Sequence, residues 1–177
     1  MKPYFFDLNK RLFSEELLLE IKELVDDNLD FFVEYRFGED NQADGNNYYY
    51  QNKLNEVKEL QAVIKKCSLK CFPMIVLHKP NSQVIKHIDD PYERNTVIIT
   101  PVHPKDEYAP TYFWNNDASE VVTTCYFKQG QSVLFNTQKM HSLDNNSNNY
   151  RYNLQICFDE DFETVLKLYQ ENKLFQE

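Results

Sequence analysis

His87 and Asp89 stand two residues apart, His141 follows about fifty residues later, and Arg151 comes ten residues after that. Neutral imidazole and carboxylate are both ordinary ligands for divalent first-row metals. On an extended strand, side chains at i and i+2 leave the same face, so His87 and Asp89 can turn toward one ion. With His141 the set becomes two imidazoles and one carboxylate, a facial triad that leaves three positions open on an octahedral Fe(II). Two of those positions suit a chelating 2-oxo acid and the third suits O2. A 2-oxo diacid such as 2-oxoglutarate also carries a distal carboxylate that needs a fixed cation. Arg151 fits that need, because a guanidinium stays protonated and meets a carboxylate through two parallel N–H donors. A lone His-x-Asp is ordinarily a surface pair, and a lone His before a turn says nothing. The order of all four groups along a β-rich stretch is what argues for a single site.

The elements that must position these groups follow from hydrophobic periodicity. Residues Ser14–Leu29 carry Leu17, Leu18, Ile21, Leu24, Val25 and Leu29 at helical spacing, with Ser14 as N-cap and Glu15 and Glu16 at the positive end of the dipole. A short strand, Phe31–Phe37, leads into the polar stretch Gly38–Asn47, and a second amphipathic helix spans Asn52–Cys67. From Phe72 the period drops to about 2. Strands are expected at Phe72–His78, Gln83–Ile88, Thr96–Val102, Thr111–Trp114, Val121–Phe127, Ser132–Asn136 and Arg151–Phe158, followed by a closing helix over Phe162–Leu174. Helices followed by many short strands predict a mainly β sandwich or jelly roll buttressed by helices. Residues 1–70 read as a helical support, 71–160 as the catalytic core and 161–177 as the last helix of one domain.

Composition narrows the function classes. A net charge of −9 and a pI near 5.0 oppose non-specific attraction to phosphate backbones, so direct nucleic-acid binding is not expected. The longest apolar runs, such as Met74–Leu77, are far too short for a membrane span, and Met1–Lys10 lacks a signal-peptide pattern. A cytoplasmic location is the expectation. Cys67, Cys71, Cys125 and Cys157 then read as reduced thiols rather than as disulfides or a zinc site.

The stretch His78–Asp89 (HKPNSQVIKHID), with Gly130–Phe135 (GQSVLF), His141-Ser142 and Arg151–Asn153, resembles the 2-oxoglutarate and Fe(II)-dependent oxygenases. The likeness is greatest to their prolyl-hydroxylase-like and aspartyl/asparaginyl-hydroxylase-like branches, including small phage members, and covers about Phe72–Phe158. It implies a double-stranded β-helix with iron ligands at His87, Asp89 and His141 and with Arg151 on the 2-oxoglutarate tail. His78 stands where the family often has a cosubstrate-contacting Tyr, and Asn153 where it often has a Ser. Both are therefore expected at the cosubstrate pocket. Asn81 replaces the usual turn glycine, and Asn tolerates the left-handed conformation such a turn requires. For Arg94 two readings stand side by side: binding an acidic substrate group, as a nearby Arg does in similar hydroxylases, or a surface ion pair with Asp90 or Glu93.

The implied reaction is hydroxylation of a C–H bond in a small molecule or a protein side chain, with 2-oxoglutarate converted to succinate and CO2. Two other classes compete with it. A cupin-type metal enzyme would not require Arg151, and a non-catalytic jelly-roll binding module would keep the fold without turnover. Gly38–Asn47, with Gly38 and Gly45 as hinges and Ala43 as its only apolar side chain, reads either as a flap at the site or as an exposed connection. His103 reads as a loop residue, Tyr112–Trp114 as core and rim, and Tyr48–Tyr50 as packing against the second helix.

Overall fold

The structure is a computed structural model that describes residues 3–37, 42–50, 53–89, 94–105 and 110–176, with side chains described for all of these except 34–37 and 42–50. Helix α1 (Glu15–Asp26) begins where the Ser14 hydroxyl accepts from the Leu17 N–H at 3.0 Å. It buries Leu17, Leu18, Ile21 and Val25, the stripe its spacing predicts. It stops short of Leu29, which instead opens a single 3-10 turn. Helix α2 (Lys58–Lys66) is shorter than its periodicity suggested, beginning only after a turn over 53–56. Helix α3 (Phe162–Gln170) is capped by Asp161, whose carboxylate accepts from the Thr164 N–H. No helix among the described residues is long and apolar enough to cross a membrane.

Eleven strands run in chain order: β1 (Phe5–Asp7), β2 (Val33–Phe37), β3 (Gln42–Tyr50), β4 (Cys71–His78), β5 (Ser82–His87), β6 (Thr96–His103), β7 (Pro110–Trp114), β8 (Val121–Tyr126), β9 (Val133–Asn136), β10 (His141–Asn145) and β11 (Arg151–Phe158). They form a seven-stranded antiparallel sheet in the order β1-β9-β6-β11-β4-β3-β2 and a four-stranded sheet in the order β5-β10-β7-β8. The two stack as a jelly roll, the double-stranded β-helix that the sequence predicts.

The large sheet is apolar on both faces, and strict alternation divides its side chains. Ile75 and Leu77 of β4, Ile98 of β6, Leu134 of β9 and Tyr152, Leu154, Ile156 and Phe158 of β11 pack outward against α1, α2 and α3. Met74, Val76, Val97, Ile99, Val133, Phe135 and Cys157 point the other way, against the small sheet, where Phe113 is wholly buried. Burying a Leu or Ile of this kind is worth about 1.5–3 kcal/mol. Two separate cores therefore hold the large sheet rigid while leaving part of its inner face free for polar residues.

Several expectations need correction. The N-terminal third is not only helical. It adds β1 to one edge of the large sheet and β3 next to β4 on the other side, with β2, the strand expected at Phe31–Phe37, outermost. In the segment read as a flap or connection, Gln42–Asn47 belongs to β3, with Asn47 opposite His78, whereas Gly38–Asn41 lies outside the described residues. Strand β10 was not among the expected strands, because its sequence His141-Ser-Leu-Asp-Asn has a single apolar residue; only a hairpin-like return at His141 was expected. His103 ends β6 rather than lying in a loop, with its ring 5.2 Å from that of Tyr152. Tyr48–Tyr50 fall in β3, where side chains are outside the described set.

Candidate metal centre

His87 is the last residue of β5 and His141 the first of β10, and the two are direct partners across the β5–β10 ladder. Their rings lie 4.3 Å apart. Asp89 stands beyond the end of β5, not on it. Its N–H donates to the Thr137 carbonyl, and the Gln138 amide donates to its own carbonyl, so the segment after β9 holds it in place. The donor atoms of His87, Asp89 and His141 all lie within 4.8 Å of one another, with Asp89 Oδ1 3.2 Å from His87 Nε2 and 3.9 Å from His141 Nε2.

The hydrogen-bond roles fix which nitrogen each imidazole offers. His87 Nδ1 lies 2.7 Å from the Ile85 carbonyl and His141 Nδ1 2.8 Å from the Lys139 carbonyl. A carbonyl only accepts, so each Nδ1 carries a proton toward the backbone and each Nε2 is the nitrogen turned inward, toward Asp89. Backbone carbonyls holding the far nitrogen are the usual support for metal-bound histidine. Behind the pair, Phe135 meets His141 edge-on at 5.0 Å. Burial and the neighbouring His87 push the His141 imidazole down to about 4, so it is neutral and ready to ligate. Burial by itself would raise the Asp89 carboxyl; the Arg94 guanidinium and both imidazoles override it and hold the group well below the usual carboxylate range. Two inward Nε2 atoms beside a buried carboxylate form a donor set that fits a divalent cation.

Arg151 does not approach His141 along a neighbouring strand, as the turn between them suggested. Strands β10 and β11 belong to different sheets, and Arg151 faces the triad across the sandwich. On β11, Arg151, Asn153 and Gln155 alternate onto the inner face and line one cavity with His78, His87, Asp89, Arg94 and His141. The cavity encloses about 480 Å3, part of it open to solvent, and Val76, Ile99, Phe127 and Leu143 form its apolar wall. Arg151 is only 3% exposed. Both its terminal nitrogens lack a hydrogen-bond partner among the described residues, and its Cζ lies over the Phe127 ring at 5.3 Å. Burial lowers its guanidinium to about 9. Among the described residues, His78 Nδ1 and Asn153 Oδ1 are likewise buried without hydrogen-bond partners. Burial, followed by the charge of Arg151, keeps His78 neutral.

Arg94 enters the same cavity. Its Nε lies 2.8 Å from Asp89 Oδ2 and its Nη1 donates to Gln155 Oε1 at 2.8 Å. Its carboxylate partner is thus Asp89; Asp90 and Glu93 lie outside the described residues. The expected turn at Asn81 is present, with φ of 49° and the Asn81 N–H donating to the Ser147 carbonyl. Sequence reasoning overlooked Thr137 and Gln138, whose only signal was polarity directly after an apolar strand.

No protein-family model matches the sequence, and no curated protein matches it. Solved structures do match. A prolyl hydroxylase from Trichoplax adhaerens, in complex with a hypoxia inducible factor peptide, is 14% identical, with 92% of this chain and 86% of that one covered and a TM-score of 0.62. The viral collagen prolyl hydroxylase of Paramecium Bursaria Chlorella virus-1 is 14% identical over 88% of this chain and 95% of its own, with a TM-score of 0.57. The alpha ketoglutarate dependent epimerase SnoN from nogalamycin biosynthesis is 11% identical over 89% and 78%, with a TM-score of 0.60. The chain therefore has the fold of the 2-oxoglutarate and Fe(II)-dependent oxygenases, with a His-Asp-His cluster inside its jelly roll.

Proposed function

We propose that this protein is a 2-oxoglutarate and Fe(II)-dependent dioxygenase that hydroxylates a C–H bond, releasing succinate and CO2. One observation carries the reading: a single cavity holds a three-donor cluster and, on the opposite sheet, a buried guanidinium whose terminal nitrogens have no hydrogen-bond partner among the described residues. His87 and His141 would hold Fe(II) through Nε2 and Asp89 through Oδ1. When bound, the iron supplies the O2-dependent redox chemistry that side chains lack. Arg151 would receive the distal carboxylate of 2-oxoglutarate, which would give a desolvated cation both its counter-charge and its acceptors. His78 and Asn153 flank Arg151 and would complete the polar end of the pocket; the Asn153 amide can turn either end inward. Val76, Ile99, Phe127 and Leu143 suit the methylene groups between the two carboxylates and exclude water.

A cupin-type metal enzyme has no use for a buried, unsatisfied arginine, so Arg151 favours the 2-oxoglutarate reading. The substrate is a small molecule or an amino-acid side chain, the two kinds named for the matching proteins. Four cysteines outside any disulfide fit a reducing compartment such as the cytoplasm. The test is anaerobic addition of Fe(II) and then 2-oxoglutarate, watched for a visible charge-transfer band, with succinate measured across candidate substrates after O2 is admitted. Absence of both the band and 2-oxoglutarate-dependent succinate overturns the proposal.

A further inference from the structure

Asp89 has two carboxylate oxygens, and the structure gives them different surroundings. Oδ1 faces the Nε2 atoms of His87 and His141, at 3.2 and 3.9 Å. Oδ2 faces away from them, 2.8 Å from Arg94 Nε. The Arg94–Asp89 pair is almost wholly buried, with side-chain exposures of 6% and 4%. Arg94 is itself braced at both ends. Its Nη1 donates to Gln155 Oε1 at 2.8 Å, and its backbone carbonyl accepts from Thr137 Oγ1 at 2.9 Å. Gln155 belongs to the centre of β11, so the guanidinium is tied to the large sheet, while Asp89 follows β5 of the small sheet and is hydrogen-bonded to Thr137 and Gln138 after β9.

A carboxylate binds a metal through one oxygen or two, and the second mode takes a further coordination position. With two imidazoles and a one-oxygen carboxylate, three positions remain for a chelating 2-oxo acid and O2. With a two-oxygen carboxylate, only two remain, too few for both. We propose that Arg94 is a positioning residue that, braced by Gln155, holds Asp89 Oδ2 away from the metal and so keeps Asp89 a one-oxygen ligand. This rests on the reading of His87, Asp89 and His141 as metal ligands. It assigns Arg94 to the service of Asp89 rather than to an acidic substrate group.

The test counts water on the metal and needs neither 2-oxoglutarate nor turnover. Mn(II) is loaded into the wild-type protein and the Arg94→Gln, Arg94→Lys and Gln155→Leu variants, and water-proton relaxation is measured. In Arg94→Gln the relaxivity of the bound metal should fall by about one third, one of three coordinated waters being displaced by Oδ2. Arg94→Lys, which keeps a cation near Oδ2, should restore the wild-type value, and Gln155→Leu should give a partial fall. Relaxivity at the wild-type level in both Arg94→Gln and Gln155→Leu overturns the proposal; if Arg94→Gln does not fold, the Gln155→Leu value decides. A wild-type protein that binds Mn(II) but not 2-oxoglutarate would instead sink the proposed function and leave the Arg94 measurement intact.

Discussion

Arg151 sits directly opposite His78 across the β4–β11 ladder, two buried nitrogen-rich side chains facing one cavity without a hydrogen bond between them. Sheet pairing puts them there, since opposed residues in antiparallel strands project from the same face. A cation buried beside a neutral imidazole, both without a side-chain hydrogen bond among the described residues, is polar capacity kept for something else. An anionic ligand is the simplest such partner.

Arg151→Lys should weaken 2-oxoglutarate binding about 10- to 100-fold, the loss of one charge-assisted hydrogen bond and the planar fork, while Mn(II) affinity stays the same. Titration calorimetry on the metal-loaded protein reads both. Arg151→Met should leave thermal stability without ligand equal or raised, because an unsatisfied buried charge is replaced by an apolar chain of similar volume. Equal loss of metal and 2-oxoglutarate in Arg151→Lys would make the residue structural.

Asp89→Ala should abolish metal binding, since it removes the anionic ligand. It should also cost the metal-free protein about 3–5 kcal/mol, because Arg94 loses its buried carboxylate. Denaturant unfolding and metal competition together check this. Retention of metal-dependent 2-oxoglutarate turnover would end the triad assignment.

Stability of the metal-free protein should fall as pH is lowered from about 6.5 toward 4. Burial pushes His141 down to about 4 and His78 well below its ordinary value. In that window the unfolded chain binds protons at these histidines and the folded chain does not, so acid favours unfolding. Thermal melts across the range test the sign, and His78→Leu should flatten the slope. An unchanged slope would mean that His78 contributes nothing to it.

Tyr152→Phe should cost about 1 kcal/mol and leave 2-oxoglutarate affinity untouched. The Tyr152 hydroxyl donates to Asp26 of α1 at 3.0 Å, on the helix side of β11, whereas Arg151 and Asn153 on either side face the cavity. A change in ligand affinity in this variant would contradict the alternation on which the site depends.

The sequence by itself determined the parts whose physics is local. Apolar spacing and the Ser14 cap fixed α1, period-2 alternation located β4, β6 and β11, and Asn81 carried the turn that a left-handed residue permits. The four groups of the candidate site were legible as well, because few residue types ligate a metal or fork onto a carboxylate. Tertiary structure decided the rest. Strand β10 escaped notice because a histidine, a serine and two polar residues give no alternation, and only pairing with β5 and β7 makes them a strand. Gly38–Asn47 reads as solvent-bound on composition, yet its Gln42–Asn47 part belongs to β3, paired between β4 and β2 in the large sheet. Arg151 reaches the triad across two sheets rather than along a turn, and Arg94 finds Asp89 rather than solvent. Local pattern says which face a side chain leaves from, whereas closure of the sandwich decides which other face it meets.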